Sequence, residues 1–209
     1  MEYEVRFYYP SDMYDDLVDK LSNISDLQKG YRTYEKTMQF NHCDARYNFY
    51  SKEIDGRFRF RISSNDERNK AKLSWKRRLP TTTNSLVNKE EEVEVHILYD
   101  EVDNFLYLVE NVMHFTLVES YERYRTVFIN DDIEISVDEY PFGVALEIEN
   151  KSKDKNPEDV ILYYTNLLGL DINNTYRLSW DDKYAELCKK EGKKIYKNVS
   201  FDKDMPHIK

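Results

Sequence analysis

Polar and apolar residues alternate one for one along much of this chain, and the rhythm turns helical in four places. In residues 2–9, Glu2, Glu4 and Arg6 alternate with Tyr3, Val5 and Phe7, which is the period of a strand. Ser11 then stands as a helix cap before Met13, Leu17, Val18 and Leu21 at helical spacing, and Gly30 breaks the chain. Residues 35–50, rich in Phe, Tyr and Thr, read as one or two strands. From Gly56, Arg57, Arg59 and Arg61 alternate with Phe58, Phe60 and Ile62. After a polar turn over 63–69, Lys70, Lys72, Ser74 and Lys76 alternate with Ala71, Leu73 and Trp75 until Pro80 ends the strand. A polar loop from Thr81 to Asn88 precedes a strand in which Glu90, Glu92 and Glu94 alternate with Glu91, Val93 and Val95.

A helix is predicted over 99–112, with Val102, Phe105, Leu106, Val109 and Val112 on one face. A hairpin follows, turning at Asn130-Asp131-Asp132: Arg123 and Arg125 mark one arm, and Glu134, Ser136 and Asp138 the other. Pro141 and Gly143 mark a bend before a strand with Glu147 and Glu149 opposite Leu146 and Ile148. Asn156 caps the next helix with Pro157 at its first position, Val160, Ile161, Tyr164, Leu167 and Leu168 form its apolar face, and Gly169 stops it. A last helix spans about Ser179 to Glu191, and the lysine-rich segment beyond Gly192 is expected to be loose.

Composition narrows the classes. With 209 residues and no linker-like stretch, one domain over 1–190 with a tail over 191–209 is expected. Forty acidic against 31 basic residues, a net charge of −9, exclude a general nucleic-acid coat. No stretch approaches the ~18 apolar residues of a membrane span, and Glu2 and Glu4 leave no apolar leader. Two distant cysteines and four scattered histidines argue against a disulfide framework or a zinc site, so a cytoplasmic protein is expected. There is neither a glycine-rich phosphate loop nor a nucleophile elbow, so any phosphate must be held by side chains.

The charges are sorted by sign from strand to strand. Like charges at every second position repel. Two architectures fit: a sheet with one solvated face, or a closed barrel with a polar interior and helices over its apolar outside. In a barrel, carboxylates two residues apart suit Mg²⁺ or Mn²⁺, and guanidinium and ammonium rows suit phosphate oxygens.

The motifs, in order, resemble those of the CYTH proteins, the triphosphate tunnel metalloenzymes. Glu2-Tyr3-Glu4-Val5-Arg6 is similar to their Glu-x-Glu-x-Lys opening, Phe58-Arg59-Phe60-Arg61 to their Leu-Arg-Ile-Arg strand, and Lys72-Leu73-Ser74-Trp75-Lys76 to the strand that follows. Glu92-Val93-Glu94 resembles the acidic strand before the central helix, and Tyr121-Glu122-Arg123-Tyr124-Arg125 the Lys-x-Arg strand. Asp138 to Gly143 followed by Leu146-Glu147-Ile148-Glu149 resembles the family's ending. The resemblance runs from residue 2 to about 187, with Arg6 in place of the family lysine and Thr81 to Thr83 where the family commonly has Gly-Pro.

The resemblance implies an α+β fold: a closed eight-stranded antiparallel β-barrel with a polar interior, flanked by helices. It implies that Arg59, Arg61, Lys72, Lys76, Arg123 and Arg125 bind a triphosphate chain, and that Glu2, Glu4, Glu147 and Glu149 hold Mg²⁺ or Mn²⁺. Glu92, Glu94 and Asp138 are expected helpers beside Glu2 and Glu4, and Arg6, which keeps its proton, stands where the family lysine would act. The activity implied is a metal-dependent triphosphatase acting on a small-molecule triphosphate. A cyclase forming cyclic AMP and a non-catalytic polyphosphate binder are the alternatives. An RNA 5′-triphosphate end is a lesser substrate, and the protein is expected as a monomer or homodimer.

Overall fold

In the computed structural model the described residues are 1–51, 54–80 and 87–209; the threonines and most of the polar loop expected at 81–88 lie outside them. Among the described residues ten strands follow in chain order: β1 (Glu2–Tyr9), β2 (Gln28–Lys29), β3 (Thr33–Asn41), β4 (Gly56–Ser64), β5 (Asn69–Arg78), β6 (Asn88–Ile97), β7 (Thr116–Ile129), β8 (Ile133–Tyr140), β9 (Gly143–Asn150) and β10 (Asn198–Val199). Four α-helices accompany them: α1 (Tyr14–Ser22), α2 (Val102–Tyr107), α3 (Pro157–Leu167) and α4 (Trp180–Glu191). No helix among the described residues is long and apolar enough to cross a membrane.

Eight strands pair antiparallel in the order β7-β3-β4-β5-β6-β1-β9-β8, and the β7–β8 pairing closes the ring. The fold is thus the expected α+β barrel. The 14-residue β7 outruns its barrel neighbours, so β2 pairs antiparallel and β10 parallel against its spare lengths.

The sequence alternation decides which face turns inward. On β1, Val5 and Phe7 point outward and pack with Ile135, Val137, Leu146 and Ile148 beneath Leu17, Val18 and Leu21 of α1 and Val160, Ile161 and Tyr164 of α3. On the opposite wall Phe60 and Ala71 pack beneath Val102 and Val109, with Phe105 stacked on Phe60 at 4.9 Å between ring centroids. The outside is therefore greasy and helix-covered, and the charged parity faces the lumen. Burial of this kind is worth roughly 25 cal/mol per Å² of apolar surface. Truncating a fully enclosed ring such as Phe128 costs about 3–5 kcal/mol.

Two glycines are required by close approach. A Cβ on Gly56 would lie 2.3 Å from the Trp75 ring and 2.6 Å from the Phe49 carbonyl. Gly143, at φ +152° in the β8–β9 bend, would meet the Tyr9 carbonyl at 2.9 Å.

Several local expectations are corrected. Ser11 does not cap α1: the chain leaves Pro10 through a 3₁₀ turn over Ser11–Met13, in which Met13 N–H donates to the Pro10 carbonyl. The helix expected over 99–112 is α2 flanked by a 3₁₀ turn and a π turn. That widened last turn rotates Val112 out to solvent. Leu167, at the end of α3, is also exposed, because Leu168 takes the buried place. The lysine-rich segment after Gly192 is docked, not loose. Val199 and Met205 are buried among Trp180, Tyr184 and Leu187, and Ile208 N–H donates to the Phe142 carbonyl.

Candidate active site

A cavity of about 240 Å³ occupies the barrel interior, bordered by inward side chains of β1, β4, β5, β6, β7, β8 and β9. One end is filled. Tyr8, Tyr121, Tyr140 and Ala145 share the inward parity of the charged rows, yet they pack against Trp180, Tyr184 and Leu187 of α4. Trp180 lies 4.3 Å from Tyr121 between ring centroids, and Ser179 and Trp180 form part of the cavity wall. Ser179 and Asp182 make a capping box that fixes the start of α4 there. At the other end Lys72 and Arg125 lead into a second hollow bordered by Ser63, Arg68, Lys70 and His96.

The strand register brings opposite charges together, which is why the like-charged rows persist. Lys76 faces Glu92 and Arg78 faces Glu90 across β5–β6; where β1 meets β6, by contrast, Glu2 faces the like-charged Glu90. Carboxylate oxygens of Glu2, Glu4 and Glu90 lie within 4.8 Å of one another, a set able to hold a divalent cation. The Lys76 ammonium sits among them, 2.9 Å from Glu2 Oε2, 2.7 Å from Glu90 Oε2 and 3.4 Å from Glu4 Oε2. Those Glu2 and Glu90 oxygens are buried and make no hydrogen bond. Burial pulls the Lys76 pKa down, but Glu4 and Glu2 outweigh it and hold the ammonium above its usual range. Burial, reinforced by a hydrogen bond with Glu92, raises the Glu2 carboxyl above its ordinary value.

The other two carboxylates expected at a metal are not members of this trio. Glu147 has both oxygens engaged: Arg6 Nε donates to Oε1 at 2.7 Å and Arg125 Nη2 to Oε2 at 2.5 Å. Burial opposes its charge, but Arg6 and Arg125 drive its pKa well below the usual carboxylate range. Glu149 is opposite Glu4 in the β1–β9 register and accepts from Lys151 Nζ at 2.6 Å. Burial, and then the charge of Glu2, push it up to about 8. Arg6 also reaches Glu4 at 3.3 Å, so it joins the first and last barrel motifs.

The six expected phosphate-binding residues divide into two groups. Arg123 donates to Glu35 at 2.7 Å, to Asp138 at 2.7 Å and to the Tyr140 hydroxyl at 3.2 Å. Arg125 donates to both oxygens of Asp138, at 2.6 and 2.5 Å. Asp138, fully enclosed, is thus the strut between these two guanidiniums. The β4 arginines are held less tightly. Arg59 approaches Glu92 only to 3.7 Å, and its buried Nε has no acceptor. Arg61 stands 3.6 Å from Glu35 and donates to Thr37 Oγ1 at 3.0 Å. Lys72 is paired with Glu94. Arg57, at the start of β4 on the same parity as Arg59 and Arg61, also borders the cavity and stands 3.8 Å from Glu90.

Sequence reasoning missed Glu35, Thr37, Tyr121 and Glu90 as site residues. Glu35 and Thr37 share the inward parity of β3, and that alternation was the available signal. The Tyr121 hydroxyl accepts from Arg61 Nη2 at 3.4 Å. Burial would raise its phenol, but Arg61, Arg123 and Arg59 outweigh it and bring the pKa down to about 7.

No protein-family model and no curated protein sequence matches this chain. Solved structures do match. The PH1819 protein of Pyrococcus horikoshii OT3 is 23% identical, with 89% of this chain and 99% of that chain covered at a TM-score of 0.67. HpAC1 of Hippeastrum, named as a candidate adenylyl cyclase and described as having a dominant triphosphatase activity, is 20% identical, with 93% and 98% covered at 0.58. A Vibrio parahaemolyticus protein named as a candidate adenylate cyclase is 12% identical, with 86% and 96% covered at 0.60. At these identities the likeness establishes the fold alone, a closed eight-stranded antiparallel barrel with flanking helices.

Proposed function

We propose that this protein is a metal-dependent hydrolase of triphosphate chains. The observation that carries the reading is the Arg59 guanidinium: it borders a polar cavity with a buried donor that no protein acceptor meets, in the same cavity as the Glu2–Glu4–Glu90 trio. An unmade buried hydrogen bond costs about 1–3 kcal/mol, and a phosphate oxygen would supply the acceptor. Arg59, Arg61, Lys72 and Lys76 bind and align the chain, while Arg125, at the seam between the two hollows, and Arg123 stay locked to Asp138 and frame the lumen. Mg²⁺ or Mn²⁺ held by Glu2 and Glu4, with Glu90 or Glu149 beside them, would neutralise phosphate charge and position the nucleophile. Arg6 orients Glu4 and Glu147, and Glu92 and Glu94 fix the directions of Arg59 and Lys72.

Phosphoryl transfer asks mainly for positioning and charge stabilisation, so attack by water needs little more from the protein. The end filled by Tyr121 and Trp180 favours hydrolysis of a bare phosphate chain over a reaction that must also seat a base. A cyclase forming cyclic AMP is the second reading, motivated by the names of the Hippeastrum and Vibrio proteins. It requires the ribose to enter as deep as the α-phosphate. Incubation with tripolyphosphate, ATP and thiamine triphosphate under Mg²⁺ or Mn²⁺ separates the readings. Phosphate release fastest from tripolyphosphate supports the proposal; cyclic AMP replaces it with the cyclase. Tight binding without turnover in any metal leaves a binding protein.

A further inference from the structure

We propose that Lys76 is a built-in stand-in for the divalent cation. In the metal-free protein its ammonium fills the Glu2–Glu4–Glu90 trio. It competes with the metal for those oxygens and is released toward the phosphate chain when the metal enters. The inference rests on the metal-dependent reading above and adds to it a competition that this chain's own residues impose.

Three observations carry it. First, one ammonium contacts three carboxylates at once, at 2.7, 2.9 and 3.4 Å. A single positive charge in a buried place leaves such a set under-neutralised, and a doubly charged ion with oxygen preference neutralises it better. Second, Glu2 Oε2 and the nearly fully enclosed Glu90 Oε2 touch the ammonium without hydrogen-bond geometry. These are oxygens aimed at a centre, not at a donor axis. The outward sides of the same carboxylates are served separately, Glu90 Oε1 by Arg78 Nε at 3.4 Å and Glu4 Oε1 by Arg6 at 3.3 Å. The inner oxygens are therefore left for whatever occupies the middle. Third, Lys76 adjoins the same cavity as Arg59, Arg61 and Lys72. Without phosphate those like charges press the ammonium toward the acids. With phosphate bound, the anion draws it the other way, and the four-carbon stem allows the swing.

Metal and phosphate are thereby coupled through one side chain. By linkage, whichever enters first eases the entry of the other.

The test is a titration of Mn²⁺ alone, with no triphosphate present, into wild-type protein, Lys76→Met and Lys76→Arg, read by calorimetry and by the loss of free-Mn²⁺ electron-resonance signal. Lys76→Met keeps the apolar stem and removes the competitor, so it should bind Mn²⁺ at least about tenfold more tightly than wild type. Lys76→Arg, which keeps a cation in place, should stay within a few-fold of wild type. Because an uncompensated buried trio destabilises the first variant, the Mn²⁺-induced rise in melting temperature is measured in parallel. It should be larger in Lys76→Met than in wild type, and Mn²⁺-dependent folding of that variant counts equally in favour. Equal or weaker Mn²⁺ binding by Lys76→Met, with wild type binding normally, overturns the competition and leaves the metal reading standing. Absence of Mn²⁺ binding in all three chains overturns both.

Discussion

The two walls of the lumen use the same residue types to opposite ends. On the β7–β8–β9 wall, Arg123 and Arg125 are locked to Glu35, Asp138 and Glu147 at 2.5–2.7 Å. On the β4–β5–β6 wall, Arg59 and Arg61 stand 3.6–3.7 Å from their acids, and a donor is left over. A buried cation already satisfied by two carboxylates can join a ligand only by breaking those bonds, and a loosely paired one can turn to phosphate at little cost. Alternation along a strand places a guanidinium in the lumen. What faces it across the lumen decides whether it is scaffold or clamp.

That contrast is best broken by substitution. Removing the carboxylates that anchor the whole arrangement should have the largest effect: Glu2→Gln with Glu4→Gln lowers phosphate release by more than about 10³-fold, and retained turnover would remove these acids from the metal site. On the open wall, Arg59→Ala should lower kcat/KM by about 10²–10³ while leaving the melting temperature nearly unchanged, as for loss of one well-placed donor. On the locked wall the effect should fall on stability. Arg123→Ala takes one guanidinium from both buried acids, leaving Asp138 to Arg125 alone and Glu35 only to the looser Arg61, costing about 3–5 kcal/mol in a denaturant titration. If Arg123→Ala kept its stability and Arg59→Ala lost it, the division between the walls would be reversed.

Smaller effects follow from pH. Burial, then Asp181 and Asp182, push Glu119 up to about 7, against the attraction of Arg57 and Arg59. The folded protein therefore holds a proton that the unfolded chain releases at an ordinary carboxylate pKa. Stability falls as pH rises from about 4.5 to 7 and then levels. Glu119→Gln should remove about 2 kcal/mol of that fall, read as a smaller drop in melting temperature between pH 5 and 8. Smallest of all, the Tyr121 phenol should titrate near pH 7 by its ultraviolet absorbance, and tripolyphosphate, by screening Arg61, Arg123 and Arg59, should move the midpoint upward.

Much of this was legible before the fold was seen. The alternation of Arg57, Arg59 and Arg61 with Phe58, Phe60 and Ile62 fixes both a strand and its two unlike faces, because β geometry turns successive side chains to opposite sides. The ring order is less local: it depends on β1 closing against β6 and β9, and those contacts leave no mark in any short window. That is why Glu90 reads only as part of an acidic row until Glu2 is found beside it, and why the lone acid of β3, Glu35, was silent. The docked C-terminal segment was hidden for another reason. Its lysines dominate the composition, whereas the residues that anchor it, Val199, Met205 and Ile208, follow no period.

The ionic rows converge on a shared lumen, and on the proposed function that lumen would hold a triphosphate chain and a divalent cation. The most direct measurement is anomalous scattering from crystals of the Glu90-containing wild-type protein soaked with Mn²⁺ and tripolyphosphate. A manganese peak bounded by Glu2 and Glu4 is expected, with the phosphate chain lying between it and Arg59 and Arg61. Manganese and phosphate found together on the outer surface, or a chain held by Arg123 with Arg59 and Arg61 untouched, would contradict it.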